Sequence, residues 1–360
     1  MVNRKIVVAM SGGVDSSVAA ALLLEQGFEP VGVTLKTFCY AELDAGPKSC
    51  CGLEGIDAAR AVAGKLGIPH FVYDVSTSFK TEVIDDFIAE YAAGRTPNPC
   101  VRCNATVKIP ELLRKAQALG CQAIATGHYA KVAEVNGEFS LFRGADKAKD
   151  QAYFLWELPA DILPHLLLPL GDLTKPQVRH LAKKFGFTNA DKPESQEICF
   201  IPNGDYVSFL RKFLPTNHPA FARGRIIDEK GNVIGAHDGY VAFTIGQRKG
   251  IGGGHGRKLF VVSIDPATKQ IRVGEEPELW GYRLKIDKLN KFTDSLKPES
   301  EVLVQIRHRA TAVPAKIAAI EPDRCDLILP QPAKSITTGQ SAVLFHDERI
   351  VAGGRIVERN

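Results

Sequence analysis

Two groups of residues in this 360-residue chain have types and spacing suited to chemistry. The first is the run Ser11-Gly12-Gly13-Val14-Asp15-Ser16-Ser17, set between an apolar stretch and one rich in alanine and leucine. A glycine turn feeding a helix N-terminus offers an anion several backbone N–H donors and a favourable dipole. Gly12 and Gly13 lack side chains, so the backbone can approach a ligand closely. Ser11, Ser16 and Ser17 add hydroxyl donors. The plain alternative is an ordinary strand-to-helix turn capped by Asp15 or Ser16. The run is not the phosphate loop of kinases and GTPases, which carries a Lys after its last Gly.

The second group is sulfur. GRTPNPCVRCN (Gly94 to Asn104) is a proline-stiffened loop carrying Cys100 and Cys103, and ESQEICFIPNG (Glu194 to Gly204) carries Cys199. A C-x-x-C pair in a reducing compartment is most often half a zinc site or a redox pair. A structural zinc site needs a second pair at similar spacing, which the adjacent Cys50 and Cys51 do not supply. Cys39, Cys121 and Cys325 read as small buried hydrophobes, most clearly Cys121, which opens a core strand. Eight cysteines in a chain of this length are thiols, ligands or catalysts and not a disulfide framework.

These residues need elements to position them. The apolar run Lys5 to Met10 reads as a buried strand, followed by a helix from about Ser16 that stops at Gly27. Glu29 to Leu35 is the next strand, and Ile56 to Gly67 has apolar residues at helical spacing. His70 to Val75 reads as a strand, Phe79 to Gly94 and Pro110 to Gly120 as helices, and Gln122 to Thr126 as a strand. Such alternation predicts an α/β domain, a parallel sheet with helices on both faces. Ligands bind such sheets at the carboxyl ends of the strands, where Ser11 to Ser17 lies. After about Ile201 the pattern changes to hairpins, GRIIDEKGNVIGAHDG and KLFVVSIDPATKQIRVG. From about Trp280 alternating strands such as EVLVQIRHRA (Glu301 to Ala310) predict a small antiparallel barrel. The expected domains are 1–200, 201–279 and 280–360.

Composition sets the frame. With 45% hydrophobic residues the chain can build two or three cores. No apolar stretch approaches the ~20 residues of a membrane span. The N-terminal apolar run is too short for a signal-peptide core, so a soluble, cytoplasmic protein is expected. The net charge of +4 is unevenly spread. Residues 1–200 hold 21 Lys and Arg against 23 Asp and Glu (net −2), and residues 201–360 hold 24 against 18 (net +6). A basic C-terminal part is compatible with nucleic acid, although on charge alone a solvated surface is the simpler reading.

The run SGGVDSS after a strand resembles the loop of the ATP-pyrophosphatase superfamily, which implies an adenine nucleotide alpha hydrolase-like fold and a seat for the pyrophosphate part of ATP. SGGVDSS, AAGRTPNPCVRCN, ATGHYA, KDQAYFLW, KPQVR, ICFI, FTIGQRKG and TGQSAVLF follow in order across almost the whole chain. Together they resemble the bacterial tRNA-specific 2-thiouridylase family (MnmA). The resemblance implies ATP-dependent adenylation of the ring-position-2 oxygen of the wobble uridine, then replacement of AMP by sulfur from a cysteine persulfide. It implies Cys199 as the persulfide carrier and Cys103 as the partner nucleophile, able to form a disulfide with Cys199 afterwards. It places Ala9, Met10, Ser11, Gly12, Gly13, Val14, Asp15, Ser16, Leu35 and Gly127 around ATP, with Mg2+. Asn98, Pro99 and Cys100 fall in the stretch that contacts the target base. Lys149, Asp150, Gln151, His128, Arg307, His308 and Gln340 match tRNA contacts. The implied partners are tRNAs with wobble-uridine anticodons of the Lys, Glu and Gln type, and a cysteine desulfurase or relay protein as sulfur donor.

Several readings stay open. Many relatives carry Asp where Cys100 stands. Three cysteines with an open fourth position suit a [4Fe–4S] cluster on Cys100, Cys103 and Cys199, an alternative sulfur route to the persulfide. Arg307-His308-Arg309 is either a set of phosphate contacts or the solvated face of a strand. IGQRKGIGGGHGRK (Ile245 to Lys258) is either a loop that orders on RNA or a surface turn. A small-molecule adenylating ligase of the argininosuccinate- or NAD-synthase type, and an RNA-binding protein with a vestigial loop, are the rival functions. The barrel and the Cys103/Cys199 pair have no evident use in the ligase, and the intact Asp15 and serines count against the vestigial loop.

Overall fold

The computed structural model describes residues 4–37, 53–192, 198–201, 203–252 and 256–359. Cys39, Cys50, Cys51 and part of the Glu194–Gly204 stretch lie outside the described residues, as does the middle of the Ile245–Lys258 loop. The chain divides into two compact units, one of residues 1–84, 99–204 and 348–350, the other of residues 85–98, 205–347 and 351–360.

The first unit is built on a five-stranded parallel sheet in the order β3-β2-β1-β4-β7. Its strands are β1 (Lys5–Ala9), β2 (Glu29–Lys36), β3 (His70–Asp74), β4 (Ala123–Ala125) and β7 (Leu166–Leu167). Ile6, Val7 and Val8 are essentially inaccessible, which is why this strand reads as an unbroken apolar run. Helices α1 (Val14–Glu25), α2 (Leu53–Leu66) and α7 (Lys175–Lys184) share one core with it, through Val18, Leu23, Ala59, Val62, Val178 and Ala182. The sequence reading did not separate the hairpin of β5 (Ala130–Val135) and β6 (Glu138–Arg143), nor the two-residue β7. Both are short, and β7 has no periodicity to detect.

The expected helix from Phe79 is α3 (Ser76–Phe79) followed by a π-helical turn, Lys80–Ile84, and α4 (Asp85–Ala92) in the second unit. A second π-helical stretch, Cys103–Lys108, lies between α5 (Pro99–Arg102) and α6 (Ile109–Ala118). π-helical turns mark functional segments often enough that Cys103 at the head of one is noteworthy.

In the second unit α8 (Tyr206–Phe213) packs Phe209 edge-on against Phe87 of α4. A four-stranded sheet follows, ordered β10-β11-β8-β9, from β8 (Gly224–Ile227), β9 (Val233–His237), β10 (Phe260–Asp265) and β11 (Gln270–Gly274), so both predicted hairpins form. The last six strands are β12 (Trp280–Lys291), β13 (Glu301–Gln305), β14 (Val313–Ile320), β15 (Arg324–Lys334), β16 (Ser341–His346) and β17 (Arg349–Arg359). They run β12-β15-β14-β13-β16-β17, and β12 pairs with β17 to close the antiparallel barrel. Closure removes both sheet edges and encloses Leu284, Val304, Ile317, Leu327, Leu344 and Ile356.

One strand is shorter than expected. EVLVQIRHRA stops pairing at Gln305, whose buried amide donates to the carbonyls of Arg307 (3.1 Å) and His308 (2.7 Å). These bonds turn the chain, so Arg307-His308-Arg309 is a loop and not a strand face.

Candidate functional site

The turn after β1 is held by its own side chains. Gly12 adopts φ +76° and a Cβ there would lie 2.2 Å from the carbonyl oxygen of Gly55, so only glycine fits. The Ser16 hydroxyl donates to the Gly13 carbonyl (3.0 Å) and accepts from the Ser11 N–H (3.2 Å), and the Ser17 hydroxyl also donates to Gly13 (2.9 Å). The N-cap of α1 is Gly13, with no side-chain cap, so the expected capping by Asp15 or Ser16 is not made. Among the described residues no protein group accepts from the N–H groups of Val14, Asp15 and Ser16. That is the arrangement an anion seat needs.

Asp15 is turned elsewhere. Its Oδ1 accepts from the Tyr129 hydroxyl (2.7 Å), and Lys175 Nζ lies 2.8 Å from each carboxylate oxygen. The Lys175 side chain is 8% exposed and the Asp15 side chain 31%. Lys175 opens α7 behind a Thr174–Gln177 capping box, and its backbone N–H donates to Asp146 (2.8 Å). Asn189 supports the other side of the turn, donating to the Gly12 carbonyl (3.1 Å) and the Ser17 hydroxyl (2.9 Å). Sequence reasoning did not single out Lys175, Tyr129 or Asn189. The first two lie inside the quoted runs KPQVR and ATGHYA, so the signal was present without a role attached.

The other expected nucleotide residues surround this turn. Met10 donates from its backbone to Val33 of β2 (2.8 Å), and Leu35 on the same strand is buried. Ala9 ends β1, half-buried. Gly127 is packed so closely on the start of α1 that a Cβ would stand 2.8 Å from the Asp15 carbonyl carbon and the Ser16 nitrogen. The five-residue stretch β4-Thr126-Gly127 therefore meets the loop backbone to backbone.

Next to Gly127, His128 Nδ1 is 2.7 Å from the Thr126 hydroxyl. Enclosure by protein, aided by the charge of Lys108, lowers its pKa to about 3, so the imidazole is neutral. The same Lys108 charge acts on Cys100, whose thiol is nonetheless held above its ordinary value by the protein around it, although Cys100 keeps surface access. Pro99 is buried, and Asn98, half-buried, precedes it.

The stretch Lys149-Asp150-Gln151 is knitted into the same unit. Asp150 accepts from Arg143 (2.8 Å) and from the N–H groups of Gly144 and Ala152. Gln151 exchanges hydrogen bonds with the Tyr129 backbone, 2.8 and 2.9 Å, which fixes the residue whose hydroxyl holds Asp15. Lys149 is half-buried beside them. In the second unit Arg307 is exposed, His308 is half-buried, and Gln340 spends its amide nitrogen on the carbonyls of Thr96 (2.9 Å) and Pro97 (3.2 Å).

Cys100, Cys103 and Cys199 are all free thiols, Cys103 buried and Cys199 half-buried. Phe200, next to Cys199, packs edge-on against Phe79, ring centroids 5.6 Å apart. The helix that ends in Phe79 also packs against the π-helical turn opening at Cys103. The two thiols therefore sit on segments that share α3. Among the described residues no group of three or more His, Cys, Asp or Glu is placed to hold a metal ion. The three cysteines thus do not assemble the donor set a [4Fe–4S] cluster requires, and no step is derived through one. No described helix is long and apolar enough to cross a membrane.

Comparison with known proteins agrees with this geometry. The chain matches the tRNA methyl transferase HUP domain over residues 4–203, the tRNA methyl transferase PRC-barrel domain over 208–275 and the aminomethyltransferase beta-barrel domain over 283–356. The tRNA-specific 2-thiouridylase MnmA of Carboxydothermus hydrogenoformans is 44% identical over 99% of this chain and 98% of its own. The protein of the same name from Geobacter metallireducens is 43% identical over 98% of this chain and 97% of its own. A solved 4-thiouridine synthetase–RNA complex with bound ATP aligns over 58% of this chain and 50% of that one, at 17% identity and a TM-score of 0.36. The chain belongs to the tRNA-specific 2-thiouridylase (MnmA) family.

Proposed function

We propose that this chain is an ATP-dependent tRNA-uridine 2-sulfurtransferase acting on the wobble uridine of Lys-, Glu- and Gln-type anticodons. The observation that carries the reading is the pairing, in one compact unit, of an anion seat at the start of α1 with two free thiols, Cys103 and Cys199, on neighbouring segments. A small-molecule ligase has use for the seat and none for the thiols or the closed barrel.

In this reading Ala9 to Ser16, Leu35 and Gly127 bind ATP, delivered with Mg2+, and the free N–H groups of α1 receive its phosphates. The uridine ring-position-2 oxygen attacks the α-phosphorus and diphosphate leaves. The terminal sulfur of a Cys199 persulfide, loaded by a cysteine desulfurase or a relay protein, attacks C2, and AMP departs with the oxygen. The Cys103 thiolate then attacks Cys199 Sγ. That forms the Cys103–Cys199 disulfide and leaves both electrons of the broken S–S bond on the sulfur now attached to C2. A small thiol reductant restores the two cysteines. Asn98, Pro99 and Cys100 frame the base, while His128, Lys149, Asp150, Gln151, Arg307, His308 and Gln340 belong to the RNA-facing set. A cytoplasmic location fits a tRNA substrate.

The test is nucleoside analysis of digested tRNA from a strain lacking this gene. Loss of 2-thiouridine derivatives, restored by the wild-type chain, is expected. An unchanged nucleoside profile would remove the proposal.

A further inference from the structure

The loop that offers Asn98, Pro99 and Cys100 is gripped at its upstream end from inside the second unit. Thr96 donates its N–H to the Thr338 carbonyl (2.9 Å), and the Gln340 amide donates to the carbonyls of Thr96 and Pro97. Both partners of the amide are acceptors, so the nitrogen must face them and the orientation is set by chemistry. Gly339 lies between, at φ +88°; a Cβ there would come within 2.9 Å of the Thr96 nitrogen and oxygen and of Arg95 Cβ. Residues 339 and 340 are fastened in turn to β17, Gly339 N–H to the Ile356 carbonyl and Ile356 N–H to the Gln340 carbonyl, both 2.8 Å.

The residue beside Ile356 grips the same region from the other side. Arg355, 7% exposed, donates to both oxygens of Asp86 (2.9 and 3.0 Å) and lies 3.4 Å from Glu90 on α4. Glu90 in turn receives two bonds from Arg95 (2.6 and 2.8 Å), the first arginine of the RTPNP loop. Two consecutive barrel residues therefore fix both the helix that enters the loop and the segment that clamps it. Buried pairs of this kind do little for net stability, but they specify one geometry well.

We propose that Gln340, with Gly339, is a positioning residue for the target-base loop, acting through Thr96 and Pro97 to set Asn98-Pro99-Cys100. This goes beyond an RNA contact at Gln340, and it rests on the function proposed above for what the loop does. Its amide Oε1 has no partner among the described residues, so an RNA contact there is compatible with the clamp.

The test uses the full chain with Gln340→Ala, Gln340→Glu and Gly339→Ala. Hydrogen exchange needs no activity: amides of residues 95–98 should exchange about tenfold faster or more in each variant, since one or two hydrogen bonds are lost. Peptides from β13 and β16 should be unchanged. With saturating tRNA, single-turnover AMP formation should fall about tenfold while tRNA affinity changes less than about threefold. Unchanged exchange at 95–98 overturns the clamp. So does a loss of tRNA affinity with the saturating rate intact, which would make Gln340 an RNA contact alone. A wild-type chain that makes no 2-thiouridine defeats the functional proposal, and the exchange result still decides the clamp.

Discussion

Lys175 Nζ stands 2.8 Å from both carboxylate oxygens of Asp15, and the Tyr129 hydroxyl shares one of them. The consequence is electrostatic. An unpaired carboxylate at the mouth of the anion seat would repel a triphosphate, and Lys175 cancels it while adding a cation beside the free N–H groups of α1. Lys175→Met should reduce tRNA-dependent AMP formation by about 10²-fold or more, the scale for loss of one transition-state donor. Removing one partner of a buried pair costs ~3–5 kcal/mol, reduced here to about 1–2 kcal/mol because a third of Asp15 is exposed. Asp15→Asn combined with Lys175→Met should recover part of the stability lost in Lys175→Met alone. Strict additivity in a denaturant melt would show that the two residues are not coupled.

The neutral state of His128 makes a pH prediction. Enclosure and the Lys108 charge bring its pKa down to about 3, against about 6.5 in an unfolded chain. Between these values the unfolded chain binds more protons than the folded one, so stability is complete above pH 6.5 and declines as the pH falls toward 3. The loss at pH 5 should be about 1–2 kcal/mol. His128→Asn should flatten the pH dependence of the thermal midpoint between pH 7 and 5. An identical slope in wild type and variant would place the proton elsewhere.

The sequence made the parallel sheet and the barrel legible because both rest on patterning: unbroken apolar runs in β1 and β2, and strict alternation in β13 to β17. It could not show that EVLVQ ends at Gln305. The turn is made by one buried amide bonding two carbonyls, and a glutamine in a strand pattern carries no mark of that. SGGVDSS announced an anion seat through its glycines. Its counter-charge was hidden, since Lys175 lies 160 residues away and meets Asp15 only through the fold. Gln340 likewise sits 244 residues from Thr96. Asp150 looked like a surface residue among Lys149 and Gln151, yet it is a buried anchor for Arg143, with a side chain 7% exposed.

Arg307 tests the basic barrel. It is exposed, on a loop stiffened by Gln305, and so is free of the strand pairing that a solvated strand face would entail. Arg307→Ala should weaken tRNA binding and lower the log–log salt slope by about 1, with ATP affinity unchanged. The measurement is filter binding over a salt series. A slope equal to wild type would leave Arg307 without an RNA phosphate.

The cysteines separate adenylation from sulfur transfer. Cys199→Ser should stop thiolation and still allow tRNA-dependent AMP formation, because activation uses the α1 seat and not the thiols. Cys103→Ser should also stop thiolation, but a desulfurase should still load persulfide onto Cys199, detectable as a 32-Da adduct by its sulfur mass alone. Its turnover should stall with Cys199 linked through sulfur to the uridine, since no thiol is left to attack Cys199 Sγ. Cys100→Ser is the discriminating variant. The Cys100 thiol is held protonated by its surroundings and is not part of a metal-ligand group among the described residues. It should therefore shape the base pocket only, and activity should survive aerobically at a reduced rate. If iron binding and activity disappear together in Cys100→Ser, and the aerobically purified wild type works only after a cluster is rebuilt, the persulfide relay is wrong and the free thiols seen here rearrange on loading.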